Sequence, residues 1–220
     1  MNWLMRALSS SVGKKFVMAI TGLLLCGFLV VHLAGNFLLV VGPDAYNAYA
    51  HKLHSQEGLL KVAEVGLFLL FAFHIYLAFS LTRMNQQARQ VSYARKETKI
   101  DEPGPTRRIS NWMMVTGFVV LGFLIVHLAD FTIEARDFDY EGKEPYDKAV
   151  MILTNPISMV VYVIGSIALW VHLTHGFASS FQSLGLLHPK IKNAVEWFGI
   201  VFAGVIGVGF GLFVFWAMSQ

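Results

Sequence analysis

His32, His74, His127 and His172 stand in long apolar runs, one in each of four separate segments. A neutral imidazole in such surroundings can hydrogen-bond across helices, pass a proton or ligate a metal. Two of the four occur in repeated text. Thr21 to Phe37 reads TGLLLCGFLVVHLAGNF, and Thr116 to Thr132 reads TGFVVLGFLIVHLADFT. Each stretch opens on Thr-Gly, carries Gly-Phe at the same place and sets its histidine eleven residues after the threonine. A lone histidine of this kind is often a satisfied interior residue. Four of them, one per segment, ask what the segments are and at what depth each ring lies.

The segments are membrane spans. The chain has 220 residues, of which 55% are hydrophobic and 14% charged, whereas soluble domains carry roughly 25% charged residues. Five runs reach the roughly 20 apolar residues that cross a bilayer: 16–41, 59–83, 109–132, 156–180 and 194–218. The expected fold is therefore an all-α membrane protein, residues 1–220 forming a single integral domain with five transmembrane helices. Lys14-Lys15 precede an apolar run with no small-residue cleavage site, so the first run reads as a retained helix rather than a signal peptide. Twelve of the seventeen basic residues fall on one side: Arg6, Lys14, Lys15, Arg83, Arg89, Arg95, Lys96, Lys99, Arg107, Arg108, Lys190 and Lys192. The positive-inside rule puts that side in the cytoplasm, with the N-terminus inside and the C-terminus outside. The stretch 133–155 then forms an acidic outer loop. Gly104-Pro105 and Asn155-Pro156 read as loop marks. Cys26 has no partner for an internal disulfide and reads as a packing residue. No basic motif points to nucleic acid.

Depth sorts the histidines into two levels. At 1.5 Å per residue, His32 and His127 lie about 14 and 8 Å inside the outer ends of their spans, and His74 and His172 about 22 and 24 Å. Two same-depth pairs on different helices suit bis-imidazole ligation of a planar haem, once at each level. The first four helices are then a haem-binding bundle. Zinc, which wants several ligands converging on one point, suits two separated pairs less well. Gly22, Gly27, Gly35, Gly117 and Gly122 leave room for close helix packing or for a macrocycle. Thr21 and Thr116, three turns before their histidines, share the histidine face and reach the inner level about 16 Å away. There they could bond a propionate or a structural partner, or bond back within their own helix.

HLAGNFLLV after Lys14-Lys15, FHIYLAFSL, FLIVHLAD and HLTHGFASSFQSLG resemble the di-haem cytochrome b membrane subunit, of the b558 type, of succinate dehydrogenase and fumarate reductase. The similarity runs over nearly the whole chain. It implies an outer haem b on His32 and His127 and an inner haem b on His74 and His172. It also implies two cytoplasmic partners, a flavoprotein with FAD at the dicarboxylate site and an iron-sulfur protein. Electrons would run between succinate or fumarate and a quinone, usually menaquinone, near the outer haem. The chain would be a subunit of a succinate:quinone oxidoreductase, in the bacterial cytoplasmic (inner) membrane, without binding the dicarboxylate itself. Some fumarate reductases of this type carry a Glu two residues before the inner histidine of span four. Trp170 stands there, so a proton route through that position is not expected. The direction of the reaction, respiratory succinate oxidation of the tricarboxylic acid cycle or fumarate reduction, is left open, as is a higher oligomer of the complex.

Quinone reduction also needs protons. Near the outer end, His54, Glu57 and Glu64 are candidates, together with Asp130 three residues after His127. A carboxylate inside a span is costly and is read as functional by default, although Glu64 could simply pair with Lys61. His51 and His54 share a face if 44–57 is helical, and Tyr46 and Tyr49 suit an aromatic belt. On the inner side, His175 shares a face with His172 and is a candidate contact for a propionate or the iron-sulfur subunit. Arg83, Arg107 and Arg108 could neutralise propionates or bind lipid phosphates. His188, beside Pro189, reads as a loop residue. Two rival readings are a cytochrome b anchor of another respiratory complex, such as a hydrogenase or formate dehydrogenase, and a proton-coupled transporter using histidines as relays. The latter predicts helices interrupted by Gly or Pro in paired halves, and the five runs contain no interior proline.

Overall fold

The computed structural model describes residues 3–88 and 112–220. Arg89, Arg95, Lys96, Lys99, Arg107, Arg108, the Gly104-Pro105 mark and the first three residues of the expected third span lie outside the described residues. Within them the secondary structure is helical, with no strand. The helices are α1 (Trp3–Ser9), α2 (Ser11–Asn36), α3 (Leu38–Val41), α4 (Pro43–His54), α5 (Glu57–Gln87), α6 (Met113–Phe131), α7 (Pro145–Thr154), α8 (Pro156–Ser183) and α9 (Lys192–Ala217). Five are long and apolar enough to cross a membrane: α2 continued by α3, then α5, α6, α8 and α9.

Helix starts follow local chemistry. Ser10 accepts a hydrogen bond from Gly13 N and opens α2. Asn155 accepts from the amides of Ile157 and Ser158 and opens α8, with Pro156 in its first turn. An Asn cap followed by Pro satisfies orphan amides and presets φ for the helix. Pro43 and Pro145 occupy the same position in α4 and α7.

The expected outer loop 133–155 is only partly a loop. Its second half is α7, whose Tyr146, Ala149, Ile152 and Leu153 are buried. The AVMIL run that opens at Ala149 supplies the apolar face that packs on α4, α8 and α9. The first span is broken at Phe37, so α2 ends at Asn36. Asn36 Nδ2 donates to the carbonyl of His32 at 2.8 Å. The span itself continues through α3 to Val41, so the break shortens only the distance from His32 to the end of α2. His32 and His127 each lie four residues before the last residue of their helix, about 6 Å along it.

Helix α8 is the hub and packs on α2, α6 and α9. Helix α5 rests mainly on α2, and α6 on α8, so the order across the bundle is α5, α2, α8, α6, with α9 closing on α8 and α2. Close approach of α9 to α8 depends on Gly207: a Cβ there would fall 3.1 Å from both the carbonyl oxygen of Ser166 and Cα of Trp170. Gly165 makes the equivalent allowance for the Phe123 ring between α8 and α6. The core between these helices includes Cys26, Leu33, Tyr162, Leu173, Phe177, Ile206 and Val214, and Cys26 is the packing residue it was expected to be. At the end where α2 and α6 stop, α3, α4 and α7 form a cap. Leu39, Tyr146 and Ala149 pack together there, and Tyr146 N bonds Asn47 Oδ1 at 2.9 Å.

Candidate functional site

The repeated Thr-Gly pairs meet histidines of the neighbouring helices. Thr21 Oγ1 on α2 lies 3.0 Å from His74 Nδ1 on α5. Thr116 Oγ1 on α6 lies 3.2 Å from His172 Nδ1 on α8. Each threonine also bonds back along its own helix, Thr21 to the carbonyl of Met18 at 3.0 Å and Thr116 to that of Trp112 at 3.1 Å. The bond to a structural partner and the bond back along the helix therefore hold at once, and together they fix the polarity. A hydroxyl has one proton. Once that proton goes to the carbonyl, the oxygen can only accept, so the imidazole Nδ1–H donates. The Nε2 lone pair of His74 and of His172 is then left for a ligand. The glycine after each threonine lets the ring lie against the helix. A Cβ on Gly22 would sit 3.5 Å from His74 Cε1, and one on Gly117 would sit 3.6 Å from His172 Cε1. The same position of a repeated segment thus holds both His74 and His172, which puts them at matching levels.

Eleven residues further along α2 and α6 the other two rings face each other. The His32 and His127 centroids are 5.8 Å apart and the planes nearly perpendicular. The backbones of α2 and α6 do not pack closely, and side chains span the gap. Phe28 and Phe210 flank His32, at centroid distances of 5.2 and 5.6 Å. Phe123 and Phe131 flank His127, at 5.6 and 5.3 Å.

Behind His127 lies a buried polar network. The Tyr162 hydroxyl is 3.4 Å from His127 Nδ1 and donates to Asp130 Oδ2 at 3.0 Å. Asp130 is completely buried. Arg136 Nη1 reaches both of its carboxylate oxygens, at 3.0 and 3.1 Å, and Ser158 Oγ at 2.9 Å. A buried charge persists only when paired and hydrogen-bonded, and this one is bonded by two residues, Arg136 and Tyr162.

One pair of rings has the separation that two ligands of one metal need, and the other two rings each have an oriented Nδ1. Two imidazoles on opposite sides of one metal, at nitrogen–metal distances of about 2.0–2.1 Å, place their centroids about 6 Å apart. His32 and His127 are already at that separation. An acceptor on Nδ1 fixes the tautomer that frees Nε2, as at His74 and His172. Among the described residues no three His, Cys, Asp or Glu converge as a metal cluster.

The other candidates are distributed around these pairs. Glu64 lies on the wall of a cleft of about 340 Å³ between α2 and α5, with Phe28, Leu60, Ala63, Gly66, Leu67 and Leu70. Phe28 connects that cleft to His32. Glu64 also meets Lys61 at 3.4 Å. His54 and Glu57 are exposed at the turn between α4 and α5, with His54 Nδ1 on the carbonyl of Ala50 at 2.8 Å. His51 pairs with Glu144 on the cap at 2.7 Å. Asp130 does not line the Glu64 cleft; it belongs to the network behind His127. His175 is half-buried on α8 and Arg83 is exposed near the end of α5. Trp170 packs against Gly204 and Gly207 of α9. Tyr162, Arg136 and Ser158 were not singled out from the sequence. A tyrosine within a span was the available signal, because its hydroxyl must find a partner when buried.

The chain is 25% identical over 167 residues to the "Succinate dehydrogenase cytochrome b558 subunit" of Bacillus subtilis (strain 168), an alignment that covers 72% of each chain. No family model matches the chain, and no solved structure matches it.

Proposed function

We propose that this multi-pass membrane protein is the anchor and electron-relay subunit of a succinate:quinone oxidoreductase. It would carry two b haems, the outer one on His32 and His127 and the inner one on His74 and His172. The observation that carries the proposal is the pair of facing imidazoles 5.8 Å apart, on helices whose backbones stay apart. The similarity to a cytochrome b558 subunit of succinate dehydrogenase supports it. Haem bound at these positions supplies a one-electron Fe(III)/Fe(II) couple at each level. The chain's own residues hold the rings. Thr21 and Thr116 fix the inner pair from α2 and α6, and the phenylalanines around His32 and His127 exclude water from the outer pair.

The protons of quinone chemistry enter by another route. Glu64 lines, through its apolar stem, a cleft that reaches His32 through Phe28, and its carboxylate would serve a quinone head group seated at the edge of that cleft. His54 and Glu57, at the outer start of α5, lie toward the water from which protons come. The N-terminus and the basic loops face the cytoplasm, where a flavoprotein and an iron-sulfur protein would dock, and the cap of α3, α4 and α7 lies outside. Membranes containing the complex should reduce a menaquinone analogue with succinate. Glu64→Gln should slow that reaction about 100-fold, while succinate still reduces a soluble dye and the haem bands keep their wild-type amplitude. Unchanged quinone turnover would remove Glu64 from the site. Failure of a flavoprotein and an iron-sulfur protein to co-purify would overturn the anchor role.

A further inference from the structure

We infer that Tyr162 is a positioning residue for His127, coupling that ligand to the ion-paired carboxylate of Asp130 and lowering the potential of the outer haem relative to its value without the link. The inference rests on the bis-histidine reading above. Tyr162 is buried, at 7% exposure, and its hydroxyl proton is committed to Asp130 Oδ2 at 3.0 Å. The oxygen can therefore only accept, and the group in front of it is His127 Nδ1, 3.4 Å away. That polarity leaves Nε2 of His127 for the iron. Asp130 cannot swing away, because Arg136 grips both its oxygens and is itself bonded to Ser158. The tyrosine ring is held edge-on by Phe123 and Phe131, so the hydroxyl is fixed from both ends.

The result is a carboxylate–tyrosine–histidine chain aimed at the ligand. An anionic acceptor on the far side of a metal-bound imidazole raises its basicity. A more basic ligand favours the ferric ion, which lowers the potential. Among the described residues His32 has no such counterpart: its ring contacts are aromatic. The outer haem would thus feel the carboxylate through one ligand only.

Tyr162→Phe keeps the ring and removes the hydroxyl. In the intact complex, redox titration followed optically should show the outer haem's Fe(III)/Fe(II) equilibrium displaced toward Fe(II) by about tenfold, equivalent to about 59 mV for one electron. The inner haem should not move. The outer haem is identified as the one whose spectrum His32→Ala alters. Asp130→Asn, which preserves shape and removes the charge, should displace the same haem in the same direction, and it decides the matter alone if Tyr162→Phe does not accumulate. No displacement, a displacement of both haems together or one toward Fe(III) would overturn the inference. Absence of two low-spin bis-histidine signals in the unmutated complex would instead overturn the reading on which it rests.

Discussion

His127 reaches through the Tyr162 hydroxyl to a buried carboxylate, whereas His74 and His172 reach threonine hydroxyls that pass their proton to a carbonyl of their own helix. In both regions a hydroxyl oxygen is forced to accept from Nδ1, and in both the free nitrogen is Nε2. What stands behind the hydroxyl differs. A helix carbonyl is a neutral dipole, while Asp130 is an ion-paired acid. The two levels therefore share a way of orienting imidazole and differ in the field they place on it, which would give haems held at the two levels unequal potentials by a mechanism local to each. The comparison also shows why the threonine is repeated and the tyrosine is not. Thr21 and Thr116 belong to equivalent segments and serve equivalent rings, but Tyr162 lies on α8 and reaches only the outer ring of α6.

The strongest way to break the comparison is to remove ligands one level at a time. His32→Ala and His127→Ala should each abolish the normal spectrum of one haem, and His74→Ala and His172→Ala that of the other. Succinate-driven quinone turnover should fall by about 100-fold or more in all four, a loss at least as large as removing a hydrogen-bond partner of a metal ligand produces. Reduction of a soluble dye should survive wherever the complex assembles. Optical and electron paramagnetic resonance titration of the four variants is the measurement. If His32→Ala and His74→Ala struck the same haem, the assignment of levels would be wrong. Smaller effects sharpen the comparison. Thr21→Val and Thr116→Val each delete a neutral acceptor, a bond worth about 1 kcal/mol. The inner haem should then move toward Fe(II) by about fivefold, less than the outer haem moves in Tyr162→Phe. An equal or larger movement would mean that the charge behind Tyr162 has no special effect.

Much of this arrangement was legible in the residues. Hydropathy gave the five spans, because an apolar run of that length has one common use, and the Thr-to-His interval placed Thr21 and Thr116 at the inner level. The break at Phe37 was hidden because Leu38–Val41 continues the apolar run, with only Gly35-Asn36 to signal an end. Helix α7 was hidden inside a stretch whose acidic residues suggested solvent, although Pro145 and the apolar run after Lys148 carried the pattern of a capped, half-buried helix. The Asp130 network was the least legible. Its members come from α6, the following loop and α8, and no periodicity links residues that only the folded chain brings together. Arg136 in particular resembled an ordinary loop cation until the structure placed it on a fully buried acid.

A pyridine haemochrome assay set against protein concentration counts the haems that the four histidines are proposed to hold. The complex purified through this chain should contain two haems b for each copy of the chain, both six-coordinate and low-spin. One haem per chain would contradict the two-level arrangement, and none would contradict the functional reading as a whole.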